Sequence, residues 1–314
     1  SSSCRPDRKT DFAIDCFVID HSPSRVSPLK FAVASSLSYA VRGPSTLLCS
    51  LSCIRNDAST VENESLTADR DVEITPISVG LAATRFSKVA IHSAGPLRLQ
   101  YSAVVENCVE IHAASEIGVV GIQGLQAEAI PFLFPSRYAP SDQFRDLAAE
   151  LFGDVPTPFL QAMAVEDWLF ENIENVGGSS NELTAADETL RNRAGVCRDF
   201  AHLGIAFCRA LTIPARYVTV YAYQLVPQDF HAVFEVFIDG IWYLVDGTRQ
   251  APLNGMVRIA VGRDACDAAV ATLFGQLEGE WVAVSSEYAV TNPAPFVPVT
   301  REMLKRENQA LFLA

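Results

Sequence analysis

Between residues 30 and 130 the hydrophobic positions come in short runs, 31–41, 72–79, 86–91 and 97–105, separated by polar breaks. Runs of that length, rich in Val, Ile, Leu and Ser, predict strands, and so a β-rich, sandwich-like N-terminal domain over 30–130. Residues 1–29 mix Ser, Pro, Arg and Asp without a sustained period, which predicts an arm outside that domain. The stretch 131–142, PFLFPSRYAPSD, carries three prolines in its first ten residues and predicts a linker.

After the linker the period becomes helical. Thr157-Pro158 has the form of a helix start, a hydroxyl cap followed by proline in the first turn. Ala162, Val165, Leu169 and Ile173 repeat at helical spacing behind it, and Gly177-Gly178 marks the expected end. Thr184 is placed to cap a second, short helix running to Gly195, and a third begins near Val196. In that third helix Phe200, Gly204, Phe207 and Leu211 form an apolar stripe that Ala201, Ile205 and Cys208 widen until little polar surface remains. It reads as a buried central helix stopped before Pro214. Strands are expected at 215–223, 230–238 and 241–246, the last two joined by Asp239-Gly240, a strong two-residue hairpin signal. The predicted fold class is α+β: a β-rich domain, then a core over 143–275 with its central helix packed on an antiparallel sheet, then a C-terminal extension over 276–314.

Length agrees with that division, since 314 residues exceed the roughly 250–300 at which a single core stops growing. A formal charge of −13 makes nucleic acid an unexpected partner, because an acidic surface repels phosphate backbones. No uncharged apolar stretch reaches the ~18 residues of a membrane span, and Asp11, Asp15 and Asp20 interrupt the apolar patch near the N-terminus, so no signal peptide is read there. Eight scattered cysteines do not form a disulfide framework and are expected to be thiols in a reducing, cytoplasmic compartment. Cys49 and Cys53 form a C-x3-C pair, but no second Cys/His pair completes a zinc site, and neither metal nor cofactor is expected.

The candidate chemistry centres on Cys197, in the first turn of the central helix. Unpaired N–H groups and the positive end of the helix dipole favour a thiolate there, although a buried structural cysteine would occupy the same kind of position. A two-residue turn at 239–240 sets His231 opposite Thr248 and Asp246 opposite Val233, so His231 and Asp246 share one face as diagonal neighbours. Taken singly, His231 reads as a core histidine and Asp246 as a cap on the Gly247-Thr248 turn. Together with Cys197 they read as nucleophile, base and orienting acid. Asp199 is explained as a first-turn carboxylate and His202 as a structural hydrogen-bonding group. Trp242 either shields the His231–Asp246 pair from water or is core. The Cys197 backbone N–H is one candidate oxyanion donor, and Gln161 and Asn172 are weaker ones.

Four segments also carry a family resemblance: Gly195-Val196-Cys197-Arg198-Asp199-Phe200-Ala201-His202-Leu203, Ile213-Pro214-Ala215-Arg216-Tyr217-Val218, Asp229-Phe230-His231-Ala232-Val233-Phe234-Glu235-Val236 and Trp242-Tyr243-Leu244-Val245-Asp246-Gly247-Thr248-Arg249. They resemble the core of bacterial transglutaminase-like proteins, often described as candidate cysteine proteases, which join this core to an N-terminal β-rich domain. The resemblance is specific over about 185–275 and implies a papain-like core with Cys197 as nucleophile, His231 as base and Asp246 as orienting acid. The 174–178 segment, Glu-Asn-Val-Gly-Gly, and Val220 depart from the usual family pattern at positions that could line a substrate cleft. The expected function is thiol-dependent acyl transfer on a peptide or protein amide, with water or an amine as acceptor; hydrolysis is the broader expectation because water is always present. The rivals are a catalytically silent peptide- or glycopeptide-binding module and a metal-dependent hydrolase.

Overall fold

A computed structural model describes residues 24–56, 58–78 and 84–314. Most of the arm expected over 1–29 lies outside the described residues. In chain order the N-terminal region supplies β1 (Ser24–Cys49), β2 (Ser59–Ala68), β3 (Glu73–Ser78), β4 (Arg85–Ile91) and β5 (Gly95–Ala113). Period-two burial sets their faces: Phe31, Val33, Leu37, Tyr39 and Val41 are buried, while Ala32, Ala34, Ser36, Ser38 and Ala40 between them are half-buried. Across the β1–β5 pairing Phe31 meets Val105, Val33 meets Ala103 and Leu37 meets Leu99, so both strands offer their apolar side to one core. β2 was not among the apolar runs, because Ser-Thr-Val-Glu-Asn-Glu-Ser-Leu-Thr-Ala alternates half-buried with exposed polar positions along the outer side of β5.

The segment 131–142 folds into short 3-10 turns with Phe132, Ala139 and Ser141 buried, a packed connection rather than an open linker. Next come α1 (Arg145–Phe152), α2 (Pro158–Asn172), β6 (Glu174–Asn175), α3 (Ala186–Asn192), β7 (Ala194–Gly195) and α4 (Cys197–Ala210). Thr157 caps α2 as expected, its hydroxyl accepting the Leu160 N–H at 3.3 Å. The helix ends at Asn172, before the two glycines, because the chain then turns extended and pairs β6 with β7 in parallel. α3 starts at Ala186 with Ala185 at its cap in place of the expected Thr184, whose hydroxyl instead accepts the Asn181 N–H.

The strands β8 (Ala215–Ala222), β9 (Phe230–Ile238), β10 (Ile241–Val245) and β11 (Met256–Gly262) form an antiparallel sheet in the order β10-β9-β8-β11. α4 packs on β9, and Gly204 permits the approach, since a Cβ there would sit 2.5 Å from the Phe234 ring. The chain closes with α5 (Ala265–Ala268), β12 (Ala271–Tyr288), α6 (Arg301–Glu307) and β13 (Gln309–Leu313). The boundary expected at 275/276 falls inside β12, which pairs with β1 from Phe31 to Cys49, while β13 pairs with β5. The C-terminal segment is therefore built into the first sheet, which has seven strands, instead of standing outside both domains. Among the described residues no helix is long and apolar enough to cross a membrane.

Candidate active site

The Asp239-Gly240 turn has positive φ at both residues, 51° and 83°, as a type I′ turn requires. It sets the expected register, with Ile241 opposite Ile238 and Val245 opposite Phe234. One step past the strand, Asp246 meets His231: Nε2 lies 2.9 Å from Oδ2, and both side chains are 1% exposed. The other carboxylate oxygen, Oδ1, accepts the Thr248 N–H at 2.9 Å and the Thr248 hydroxyl at 2.8 Å. The two single-residue readings of Asp246, turn cap and histidine partner, thus hold simultaneously on different oxygens.

Cys197 opens α4 and is half-buried. Its placement depends on Asp199, which is fully buried and accepts the Val196 N–H at 2.8 Å while its own N–H bonds back to the Val196 carbonyl. That reciprocal pair fixes the turn entering the helix. Gly195 makes it possible: a Cβ there would lie 2.7 Å from the Asp199 Cβ. The Cys197 thiol is close enough to add, after Asp246, to the rise of the His231 pKa. With Nε2 committed to Asp246, Nδ1 is the nitrogen left to face sulfur.

Burial alone would lower the His231 pKa, but the Asp246 charge and hydrogen bond, followed by the Cys197 thiol, overcome it and raise it to about 10. Burial would conversely raise the Asp246 pKa, and the His231 charge with the His231 and Thr248 hydrogen bonds holds it below the usual carboxylate range. Because the folded value for His231 exceeds the unfolded value of ~6.5, its stabilising contribution is fully present below that pH and is lost as pH rises through about 10. The melting-temperature gap between wild type and His231→Gln is accordingly expected to shrink across that window. A gap that stays constant would contradict the assigned protonation.

His202 is buried between the Tyr138 and Tyr217 rings, at 4.9 and 5.1 Å, and its Nε2 accepts the Ala265 N–H at 3.2 Å. Burial, then Arg198 and Arg209, keep its pKa well below the ordinary value, so the ring is neutral and packs structurally. Trp242 meets Phe132 edge-on and Phe237 at a tilt, with the Arg216 guanidinium 4.0 Å from its ring centroid, four residues up the strand from Asp246, which makes it a packing residue. Gln161 and Asn172 donate to the carbonyls of Phe152 and Trp168, so neither amide is presented to Cys197 by these bonds. Cys49, at the end of β1, and Cys53, in the loop after it, are both buried, and burial pushes both thiols up to about 12. Among the described residues no group of three or more His, Cys, Asp and Glu is arranged to hold a metal ion.

Sequence reasoning passed over Thr248 as a partner in its own right, and it passed over Glu166. The signal for Glu166 was available: it lies four residues after Ala162 and three before Leu169, a carboxylate on the apolar stripe of α2.

Comparison with known proteins identifies the family of the fold. Residues 29–127 match the bacterial transglutaminase N-terminal domain, and residues 145–247 match the transglutaminase-like superfamily core. The crystal structure of a candidate cysteine protease from Cytophaga hutchinsonii is 38% identical, covering 93% of this chain and 100% of its own, with a TM-score of 0.88. The chain belongs to the transglutaminase-like superfamily. An uncharacterized protein of Mycobacterium leprae is 25% identical over 201 residues, 60% of this chain and 71% of its own. Membership bears out the α+β class, with a β-rich domain preceding a transglutaminase-like core. Within that core, Cys197, His231 and Asp246 all fall between the matched limits or on the edge of them, whereas α6 and β13 lie beyond.

Proposed function

We propose that the protein is a thiol-dependent amide hydrolase in which Cys197 is the nucleophile, His231 the general acid and base, and Asp246 the residue that orients and charges the imidazole. The observation that carries this reading is the buried His231–Asp246 contact of 2.9 Å, on a ring whose charged form the thiol of a helix-start cysteine also favours. The thiolate attacks the amide carbon, and the first-turn N–H of Cys197, which has no intrahelical acceptor, faces the developing oxyanion. The imidazolium gives its proton to the departing amine, leaving a thioester and a neutral ring. Water then loses a proton to the imidazole and attacks the thioester, releasing the acid and restoring the thiolate–imidazolium pair. An amine in place of that water yields transamidation, so measuring the ratio of the two products with and without added amine assigns the acceptor.

The test needs no substrate. Alkylation by iodoacetamide, read peptide by peptide with mass spectrometry, is expected to be faster at Cys197 than at the more exposed Cys266, whose thiol is pushed up by burial and then by neighbouring Asp264. His231→Ala is expected to slow Cys197 by about 10- to 100-fold, within the usual contribution of a positioned base. Equal rates at the two cysteines, or indifference of Cys197 to the histidine, would remove the thiolate mechanism and leave a binding module.

A further inference from the structure

The turn that follows Asp246 is held from outside by charges. Arg249 donates its N–H to the Asp246 carbonyl at 3.3 Å, and Thr248 between them supplies both bonds to Asp246 Oδ1. The backbone of Arg249 is left-handed, φ 54°, a conformation a non-glycine residue keeps only where its surroundings over-determine it. Those surroundings are two helices far apart in sequence. From α2, Glu166 places Oε1 3.6 Å from the Arg249 Nε, Asp167 accepts from the guanidinium at 2.5 Å, and Phe170 lies under it with its ring centroid 4.3 Å away. From α6, Glu302 lies 3.5 Å from the same guanidinium, Arg301 closes on the other oxygen of Glu166, and Lys305 holds Asp167 at 2.8 Å. Glu166 and Arg301 are almost wholly buried.

Asp246, Arg249, Arg301 and Glu302 line one cavity of about 210 Å³. On that side the turn borders open space together with the ion-paired Arg249 and Arg301. A buried carboxylate such as Glu166 is costly unless compensated. Burial, offset in part by Arg301 and Arg249 and reinforced by Asp246 and Asp167, raises its pKa to about 8, so below that pH Glu166 meets the two arginines as a neutral acceptor. Asp167, which burial would raise but Lys305, Arg301 and Arg249 hold below the ordinary carboxylate range, carries the charge.

We infer that Arg249, clamped between Glu166 and Asp167 of α2 and Glu302 of α6, is a positioning residue that fixes the Asp246–Arg249 turn and so aims Asp246 at His231. The helix α6, beyond the matched core, thereby becomes part of the device that sets the reactivity of Cys197. This inference rests on the triad reading above, and it concerns how the acid is held rather than which groups react.

The experiment is the pH profile of Cys197 alkylation by iodoacetamide in the full chain, with melting temperature as the check on folding. Wild type is compared with Arg249→Ala, Arg249→Lys, Asp167→Asn and His231→Ala. Arg249→Ala is expected to lower the rate near pH 6 by about 10- to 100-fold, the scale of a misplaced catalytic group, and to move the acid edge of the profile upward. Arg249→Lys keeps the charge without the planar fork and is expected to recover part of the rate. Asp167→Asn, which removes a charge that the Arg249 guanidinium contacts, shifts the profile in the same direction by less. If Arg249→Ala fails to fold, the lysine and asparagine variants decide: a wild-type profile in both overturns the inference. A wild-type profile for folded Arg249→Ala, alongside a slowed His231→Ala, overturns the inference and leaves the proposed function standing. A wild-type profile for His231→Ala overturns both.

Discussion

Asp246→Asn is expected to reduce amide turnover by about 10³- to 10⁴-fold, the scale seen when a triad histidine is held in the wrong tautomer. The direction follows from Thr248. Its backbone N–H and hydroxyl both donate to Asp246 Oδ1, and the N–H cannot reverse its polarity. An asparagine must therefore turn its carbonyl to Thr248 and its NH2 toward His231 Nε2. That donor selects the tautomer with hydrogen on Nδ1, the nitrogen left to receive the thiol proton. The substitution also removes the charge that most raises the imidazole pKa after burial is overcome, so the imidazolium is lost at lower pH. Turnover of any amide substrate found by peptide screening, together with the alkylation rate of Cys197, measures the effect. Turnover within tenfold of wild type would show that Asp246 does not set the tautomer.

How much of this was legible beforehand varied with the range of the interaction. Cys197 and the His231–Asp246 pair depend on local rules: a helix start after Gly195-Val196, and a hairpin whose register follows from Asp239-Gly240. The turn counts residues for the reader, and strand alternation then decides the face. Glu166 was visible as a misplaced charge on an apolar stripe, but its partner Arg301 is 135 positions away and nothing local announces it. β12 escaped for a related reason. Its partner is β1, so its alternation serves a surface laid down more than 200 residues earlier, and most of its own positions are exposed. The polar strand β2 shows the opposite case, where an edge beside an already apolar neighbour needs little hydrophobic pattern of its own.

Glu235 illustrates the same limit and carries the largest expected effect on stability. It sits in β9 between Phe234 and Val236 with no exposed surface. Arg216 donates to its Oε2 at 2.6 Å, and Arg258 donates to its Oε1 at 2.8 and 2.6 Å while also reaching the Leu313 carbonyl on β13 at 2.7 Å. Burial would raise the carboxyl pKa, but the two guanidiniums hold it below the ordinary range. Its contribution to stability is therefore present above the unfolded value of ~4.3 and is lost as pH falls through the lower folded one. Glu235→Ala leaves two buried guanidiniums without a counter-charge and unfastens the contact from β11 to β13. The expected cost is about 3–5 kcal/mol, or a fall in melting temperature on the order of 10 °C. A loss under about 2 °C would mean that water reaches the arginines when the carboxylate goes. Replacing all three at once, with Arg216→Met, Glu235→Leu and Arg258→Met, is expected to recover most of that loss, because the cost lies in the unpaired charges and not in the volume they fill. A triple variant as unstable as Glu235→Ala would assign the effect to lost shape and to the Leu313 hydrogen bond instead.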